Sequence, residues 1–377
     1  MNCINRSNNP FSTNTSLEHL YSFKDFPIFM GCVNTPISED LKEDMNWYID
    51  SSSGFIQLNP LLPLEILYKQ EHGSGTIGKL WEEHHKKFSE FISKFEIGKV
   101  LEIGGLHGIL AKNYLNIDPY VDWTIIEPNP LVPNEMPIKV IKDFFENFST
   151  NEKFDTVIHS HVLEHIYDLK TFMNHKSSFM EDGNTLLFSI PNMQVMLEKK
   201  YTNCINFEHT FWLTEPYIEY LLSKYGFRLI KKEYFKKDHS IFYSAIKDST
   251  VAPLSLPKNL YKENKQVFLN YVNYFKVEVD KLNSIIKGFD GPIYLFGAHI
   301  FSQYLINCGL DISNIKNILD NDSQKENKRL YGTPLISKSP KILKDTDKAL
   351  VILRAGVYNN EIKKDILTNI NPNIKFI

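Results

Sequence analysis

The sequence predicts an α/β protein with two doubly wound domains behind a small β-containing segment. Short β-branched and aliphatic runs alternate with helical stretches over residues 100–247, a pattern typical of a mostly parallel sheet covered by helices. The same strand–turn–helix rhythm returns over residues 291–377. Hydrophobic residues (42%) and charged residues (23%) stand in the proportions of an ordinary globular protein, so both domains have enough apolar side chains for a core.

Charge and composition exclude several classes of function. The net charge of −3 predicts no basic surface for nucleic acid or for an anionic membrane. The longest apolar runs are strand-sized, and the first residues lack the apolar core of a secretory signal. The cysteines are too far apart in sequence for a metal knuckle or a disulfide framework. We therefore expect a cytoplasmic protein that binds neither membranes nor nucleic acid.

The chain divides into four segments, taken in order. An irregular lead-in with the strand-like stretches FPIFM and GFIQL is followed by the first α/β block, by a linker with a long amphipathic helix, and by a smaller Rossmann-like domain. Within the first block, a helix with apolar residues at helical spacing precedes the first strand, and two closely spaced strands at its end predict an antiparallel hairpin at one edge. The predicted boundaries are 1–75, 76–250, 251–290 and 291–377.

A glycine-rich turn follows the first strand of the block, VLEI. Gly104, Gly105 and Gly108 let the backbone turn sharply and let a ligand approach with no Cβ in the way. The helix that starts at Ile109 also offers free N–H groups beside such a ligand. An isolated turn of this kind is equally compatible with a purely structural role.

Two acidic residues favour a ligand at this turn. Glu127 ends the next strand, roughly 20 residues beyond the turn, where an acid can accept the hydroxyls of a ribose. Glu102 precedes the first glycine, and Leu106 stands where a dinucleotide fingerprint has glycine. A carboxylate at Glu102 would repel a pyrophosphate but suits a ligand with an ammonium and a sulfonium group. The sequence thus favours S-adenosylmethionine over a nicotinamide dinucleotide, and a methyltransferase over a dehydrogenase.

The segments around this turn resemble, in order, the motifs of the class I S-adenosylmethionine-dependent methyltransferases. The matching stretches are VLEIGGLHG, IIEP, DFFEN, FDTVIHSHVLEHIYD and DGNTLLFSIPN. The resemblance implies a Rossmann-like domain that uses S-adenosylmethionine and releases S-adenosylhomocysteine. It places Glu102, Gly104 and Gly108 along the methionine part of the donor and Glu127, with Pro128, at the ribose. It also places two residues beside the adenine and two beneath the donor, namely Asp143, Phe144, Ser160 and His161.

The whole chain is similar, more loosely, to the three-domain nucleotide-sugar C-methyltransferases. This resemblance implies a small-molecule acceptor, a nucleotide-linked sugar of glycan or secondary-metabolite biosynthesis, methylated at carbon. The family's Tyr-x-Glu-His motif is matched by CINFEHTFWL, which keeps Glu208 and His209 but has Asn206 in place of the tyrosine. His209 is then the expected base, with Glu208 raising its basicity and fixing its tautomer. Asn206 and His239 are the expected acceptor contacts.

The family's lead-in domain usually binds zinc through two Cys-x-x-Cys pairs, and here the sequence departs from it. Only Cys3 remains, with Arg6 at the matching spacing, and DSSSG stands where the second pair would fall. A structural zinc site needs four ligands. We therefore expect no metal, and a lead-in held by aromatic packing, for which the candidates are Phe23, Phe26, Phe29, Trp47 and Tyr48.

Several alternatives stay open at the level of sequence. The missing tyrosine is compatible with an O- or N-methyltransferase on the same scaffold, and a non-catalytic binding subunit is a further alternative. Glu164 and His165 of the fourth-strand motif are expected to be structural. The FGAH turn of the last domain, followed by Asp320 at the end of the next strand, would indicate nucleotide binding in a free-standing domain. The turn has only one glycine, however, and the resemblance implies a domain that encloses the acceptor, so acceptor binding or a structural role is favoured over a second nucleotide.

Overall fold

The computed structural model describes residues 2–6, 9–12, 16–67 and 78–377. Residues 72–77 of the segment HGSGTIGKLWEEH, which include the predicted start of its helix and the predicted boundary at residues 75 and 76, lie outside these ranges. Within them, no helix combines the length and hydrophobicity that crossing a bilayer requires.

The lead-in is a small antiparallel sheet followed by a single helical turn. Its elements are β1 (Leu17–Pro27), β2 (Cys32–Val33), β3 (Lys42–Asp50), β4 (Ile56–Leu58) and α1 (Leu64–Leu67). The sheet order is β1-β3-β4, and both pairings are antiparallel. Of the five aromatic residues expected to hold it, Phe23, Phe26 and Trp47 are buried, whereas Phe29 and Tyr48 are half-buried.

The first α/β block carries a seven-stranded sheet. Its elements are α2 (Lys79–Ile92), β5 (Val100–Ile103), α3 (Ile109–Leu115), β6 (Trp123–Ile126), β7 (Lys139–Ile141), β8 (Thr156–Ser160), α4 (Leu169–Phe179), β9 (Thr185–Pro191), α5 (Met193–Glu198), α6 (Glu215–Lys224), β10 (Phe227–Phe235), α7 (Lys236–His239) and β11 (Ser240–Lys247). The strand order is β10-β11-β9-β8-β5-β6-β7, and only β11 runs against the others. The predicted hairpin of β10 and β11 is confirmed, and β11 inserts between β9 and β10.

A 29-residue helix leads to a second parallel sheet. The elements are α8 (Leu260–Gly288), β12 (Ile293–Phe296), α9 (Ile300–Asn307), β13 (Ile315–Leu319), β14 (Arg329–Leu330), β15 (Ser337–Lys338), β16 (Leu350–Leu353), α10 (Asn359–Asp365) and β17 (Lys375–Phe376). Five strands form a sheet in the order β15-β13-β12-β16-β17 with parallel pairings throughout. Together with the first block, this confirms the predicted α/β class with two Rossmann-like sheets.

The lead-in shares one hydrophobic core with α8 and the last domain. Trp47 from β3 packs on Phe268 of α8, and Phe23 from β1 packs on Tyr304 of α9. Strand β2 pairs with β14 of the last domain, which joins the two by backbone hydrogen bonds. The aromatic residues that the sequence predicts to hold the lead-in thus pack against α8 and the last domain, which are distant in sequence.

Both parallel sheets have a switch point, where neighbouring strands lead off in opposite directions along the sheet. In the first sheet this point lies between β5 and β8. In the second sheet it lies at β12, which has β13 on one side and β16 on the other. Ligands of open α/β sheets bind in the crevice at the carboxyl ends of strands at such a point. The turns after these strands in both domains border the same space, which is the candidate site.

Lys176 of α4 is a buried amine, and replacing it should stabilise the protein. Its side chain is only 1% exposed, and its Nζ lies 3.3 Å from Nε2 of the buried His159. Burial lowers the pKa of Lys176 to about 7, so folding opposes protonation of this amine. We expect Lys176→Met to stabilise the protein at pH 7 by about 1–4 kcal/mol, measured as a raised midpoint of thermal unfolding.

The same substitution should change how stability depends on pH. Between about pH 7 and the usual lysine range, the unfolded chain binds a proton at Lys176 that the folded chain does not. Stability of the native sequence should therefore rise with pH across this window, and the advantage of Lys176→Met should shrink there. Lys170→Met, on the exposed side of the same helix, is the matched control. An equal response of the two variants would contradict the prediction.

Candidate active site

A cavity of about 1100 Å³ lies between the two Rossmann-like domains. Its wall is built from the turns after β5 and β8, the segment around His209, and the turns after β12, β13 and β16, with Met30 of the lead-in at its border. Pockets for one drug-sized ligand occupy about 300–1000 Å³. The space is thus large enough for a methyl donor and an acceptor side by side.

The glycine turn forms one end of this cavity. Gly104 has φ +78°, and a Cβ on it would lie 2.8 Å from Cγ2 of Val162. Gly108 has φ +66° and is covered by Val132 and Met136, whose side chains would lie 3.2 Å from an added Cβ. Both positions need glycine, because the left-handed backbone and the close neighbours exclude a side chain.

Glu102 lies under the glycine turn and is almost fully buried. Its Oε2 accepts a hydrogen bond of 2.8 Å from the indole N–H of Trp123. Burial raises the pKa of Glu102 to about 7; the Trp123 hydrogen bond opposes this rise, and the nearby charge of Glu127 adds to it. A cationic ligand next to Glu102 would favour the ionised form, so the site is electrostatically suited to an ammonium or sulfonium group.

Glu127 and Pro128 follow β6 and are half-buried. The carboxylate of Glu127 accepts a hydrogen bond of 2.9 Å from the backbone N–H of Asn129, and burial raises its pKa. The loop beyond it is tied to the glycine turn, since Leu131 donates a backbone hydrogen bond of 2.7 Å to Leu106. Glu127 therefore lies beside the turn, as the sequence predicts for a ribose ligand.

Asp143 and Phe144 follow the edge strand β7. Asp143 accepts a hydrogen bond of 2.7 Å from the backbone N–H of Phe144, and the ring of Phe144 is 47% exposed. An exposed aromatic ring at the end of a strand offers a face on which a base can stack. The cavity wall itself contains four of the predicted cofactor residues, Glu102, Gly104, Ser160 and His161; the other five, Gly108, Glu127, Pro128, Asp143 and Phe144, lie outside it.

Ser160 and His161 end β8 at the floor of the cavity. The hydroxyl of Ser160 is 2.7 Å from that of Ser189 on β9. His161 has φ +53°, and its two ring nitrogens reach in different directions. Nε2 is 2.8 Å from the hydroxyl of Ser240, and Nδ1 is 3.2 Å from Oε1 of Glu164.

Glu164 and His165, expected to be structural, lie in the cavity wall. Glu164 is 1% exposed and is surrounded by imidazoles. Its burial raises the pKa, but the hydrogen bond from His161 and the proximity of His165 and His209 outweigh this and lower it to about 2. This carboxylate is therefore ionised at neutral pH and links the floor of the cavity to the segment of the predicted base.

The segment of residues 203–209 presents His209 to the cavity. Nδ1 of His209 donates to the carbonyl of Cys204 at 3.0 Å, which leaves a lone pair on Nε2. Glu208 was expected to fix this tautomer, but the structure assigns that hydrogen bond to the Cys204 carbonyl. Asn206 holds the segment in place, since its Oδ1 accepts the backbone N–H groups of both Glu208 and His209 at 2.8 Å.

His239, the second predicted acceptor contact, is 3% exposed and lies in the cavity wall. Its Nδ1 is 2.6 Å from the hydroxyl of Ser240. Burial, with a smaller effect of His161, lowers its pKa to about 3. The sequence placed His239 at the start of a strand; it lies one residue before β11, where a single helical turn carries its ring inward.

The last domain closes the cavity with Asp320, which the sequence singles out, and with Lys325, which it does not. Lys325, 11% exposed, lies 3.2 Å from Oδ2 of Asp320, which also accepts the backbone N–H of Ala298 at 2.8 Å. Oδ1 of Asp320 accepts the backbone N–H of Asp322. Asp320 is thus engaged by its own domain, which supports the preference against a second nucleotide there. The sequence signal that could have identified Lys325 as a cavity residue is its position in the segment that follows β13.

Comparisons with known proteins identify the first α/β block. Residues 77–232 match the family model described as a methyltransferase domain. A comparison with curated proteins finds no match. Residues of this block form a methyltransferase domain, the protein is a transferase, and its cofactor is S-adenosylmethionine, whose positive charge suits the buried Glu102.

Solved structures of methyltransferases are similar to part of the chain. The N-methyltransferase NodS from Bradyrhizobium japonicum WM9 is 16% identical over 45% of this chain and 97% of its own, with a TM-score of 0.34. An S-adenosylmethionine-dependent methyltransferase from Clostridium acetobutylicum ATCC 824 is 14% identical (44% and 92% covered, TM-score 0.35). Magnesium protoporphyrin IX methyltransferase from Synechocystis PCC 6803 is 13% identical (47% and 91% covered, TM-score 0.36).

Proposed function

We propose that this methyltransferase acts on a small activated acceptor, a nucleotide-linked sugar, and methylates it at carbon with His209 as the base. The observation that carries the proposal is the continuous cavity that joins the glycine turn to His209 and to the last domain. The order of the domains, which resembles that of the nucleotide-sugar C-methyltransferases, supports the choice of acceptor.

In this proposal, the donor binds along the glycine turn. Glu102 lies close to the ammonium and sulfonium charges, and Glu127 accepts the ribose hydroxyls, with Pro128 beside it. Asp143 and Phe144 border the adenine, while Gly104 and Gly108 allow the backbone to turn under the donor. When bound, S-adenosylmethionine supplies a methyl group on a positively charged sulfur, so the protein has to orient the acceptor and exclude water.

A carbon acceptor next to a carbonyl has to lose a proton, and His209 is placed to take it. The Cys204 carbonyl holds the Nδ1 proton, so Nε2 is the atom that accepts the proton from the acceptor carbon. The imidazolium that forms lies near the buried, ionised Glu164, which stabilises the positive charge. Asn206 positions this base through the two backbone N–H groups that it binds.

Two binding experiments test the proposal in separate steps. Isothermal calorimetry with S-adenosylhomocysteine should give one site per chain, and absence of binding at high micromolar concentration would overturn the donor site. Incubation with methyl-labelled donor and a panel of nucleotide-linked ketosugars should then label one sugar at carbon. Binding of the donor product without labelling of any sugar would overturn the acceptor but leave the donor site intact.

An O- or N-methyltransferase is the second candidate, and the environment of Asn206 favours it. Asn206 has no hydroxyl to stabilise an enolate, and its side-chain amide is engaged by the backbone: Oδ1 accepts two N–H groups and Nδ2 donates to the Asn203 carbonyl at 3.2 Å. A carbon acceptor exchanges its proton with solvent in deuterium oxide when His209 removes it. Methylation without any such exchange would favour transfer to oxygen or nitrogen.

Glu127→Ala should weaken the binding of S-adenosylhomocysteine about 10- to 100-fold, because a hydrogen bond to a charged group contributes about 1.5–3 kcal/mol. Glu127→Gln keeps the size of the side chain and should give a smaller loss. Glu135→Ala, an exposed acid on the loop after β6, is the matched control. Equal affinities of Glu127→Ala and Glu135→Ala, measured by calorimetry, would remove Glu127 from the ribose site.

A further inference from the structure

Three histidines from distant parts of the sequence converge beside the cavity. His84 comes from α2, His161 follows β8, and His239 lies directly before β11. One ring nitrogen of each lies within 4.8 Å of a ring nitrogen of the other two. We propose that these three histidines bind one divalent transition-metal ion of the zinc type, a site separate from the cysteine positions at which the sequence excluded zinc.

His84 gives the first argument for this site. Its ring is fully buried, and neither ring nitrogen has a hydrogen-bond partner among the described residues. Its ring neighbours include Phe88, Phe235 and Phe242, which offer no acceptor. Buried polar groups are nearly always paired, so an orphaned imidazole needs an explanation. A metal ion would bind one of these nitrogens directly.

The contact of His161 with Glu164 gives the second argument. A histidine that binds a metal usually donates its other ring N–H to a carboxylate, which fixes the tautomer and raises the basicity of the metal-binding nitrogen. Nδ1 of His161 lies 3.2 Å from Oε1 of the buried Glu164, which leaves Nε2 for the ion. Glu164 is thus an orienting partner of the site and not one of its ligands.

The three rings need a small rearrangement to close on an ion. Zinc–nitrogen distances of about 2.1 Å bring tetrahedral ligand atoms to about 3.4 Å from one another, so the rings must approach by about 1 Å. The hydroxyl of Ser240 now lies between His161 and His239, and the ion would replace its hydrogen bond to Nε2 of His161.

The position of the site next to the cavity determines its type. His161 and His239 both contribute to the cavity wall. Three protein ligands leave a fourth position of a tetrahedral ion open, as in zinc sites that bind a water or a substrate oxygen. The open position here would face the cavity, so a ligand oxygen could reach the ion.

A second group of possible ligands, Glu164, His165 and His209, lies nearby and has to be distinguished. In this group, Nδ1 of His209 is bound to the Cys204 carbonyl and Oε1 of Glu164 faces His161, while Nδ1 of His165 has no hydrogen-bond partner among the described residues. The first group is favoured because both ring nitrogens of His84 lack a partner, against one ring nitrogen of His165. Variants of His84 and His209 separate the two locations.

The test uses the full chain without a polyhistidine tag, stripped with a chelator and titrated with Zn²⁺ and Co²⁺. We expect one equivalent of each ion, with the visible absorption of tetrahedral Co²⁺. Glu164→Gln should lower the Zn²⁺ affinity about 10- to 100-fold, as loss of an outer partner does. His84→Ala and His239→Ala should lower it further. His209→Ala and the surface variant His19→Ala should bind as the native protein does.

Two results would overturn the proposal. One is the absence of a stoichiometric site for both ions in a native protein that binds S-adenosylhomocysteine. The other is metal binding that survives His84→Ala but is lost in His209→Ala, which would move the ion to the neighbouring group. His84→Gln and His239→Gln replace the alanine variants if these do not fold, as judged by circular dichroism and thermal unfolding.

Discussion

His209→Ala should lower the rate of methyl transfer to a carbon acceptor about 10²- to 10⁴-fold, the range that a positioned general base contributes. Nε2 of His209 is the lone pair that the Cys204 hydrogen bond leaves available at the cavity, and alanine removes it. The affinity for S-adenosylhomocysteine should not change, because the glycine turn and the acids beside it are untouched. Single-turnover kinetics with labelled donor measure the first effect, and calorimetry measures the second.

His209→Gln keeps the volume and a polar tip without a basic nitrogen, so it should be as slow as His209→Ala. His19→Ala, on the exposed face of β1, is the control for loss of an imidazole as such. If His209→Ala turned over at the native rate, the base would have to be another group of the cavity. A fall in the affinity for the donor product instead would show that His209 acts through the fold of its segment.

The features of the fold that depend on residues close together in sequence could be predicted. The alternation of strands and helices, the hairpin of β10 and β11, and the glycine turn before α3 are local patterns, and the structure shows each of them. The insertion of β11 between β9 and β10 depends on pairing across the sheet, which no local pattern encodes.

The cluster of histidines could not be predicted for a similar reason. His84 belongs to the apolar stripe of a helix. Such a stripe indicates that its residues are buried, but it does not indicate which side chains they contact. His161 and His239 lie at the ends of different strands, and only the strand order brings them together. Likewise, the hydrogen bond from His209 to a backbone carbonyl has no signature in the sequence, so the neighbouring Glu208 was assigned that role.

The attachment of the lead-in to the last domain gives the largest expected effect on stability. Arg329, the first residue of β14, makes a bidentate contact with Asp40 of the lead-in, with N–O distances of 2.6 and 2.7 Å. The side chains are 11% and 1% exposed, and Asp40 also accepts the backbone N–H of Gly332 at 2.7 Å. Arg329→Met should destabilise the protein by about 3–5 kcal/mol, because it leaves a buried carboxylate without its cation. Denaturant unfolding followed by the tryptophan fluorescence of the lead-in measures this loss.

Arg228→Met is the matched control, since Arg228 forms a single contact with Asp248 at the surface, where side chains are 54% and 25% exposed. Exposed pairs contribute about 0–1 kcal/mol, so this variant should unfold almost as the native protein does.

The double variant Arg329→Met, Asp40→Leu removes both charges and should recover most of the loss, because the penalty comes from the unpaired charge. Equal stabilities of Arg329→Met and Arg228→Met would mean that the shared hydrophobic core alone holds the lead-in. Binding of S-adenosylhomocysteine should survive in every folded variant, since the glycine turn belongs to the other domain.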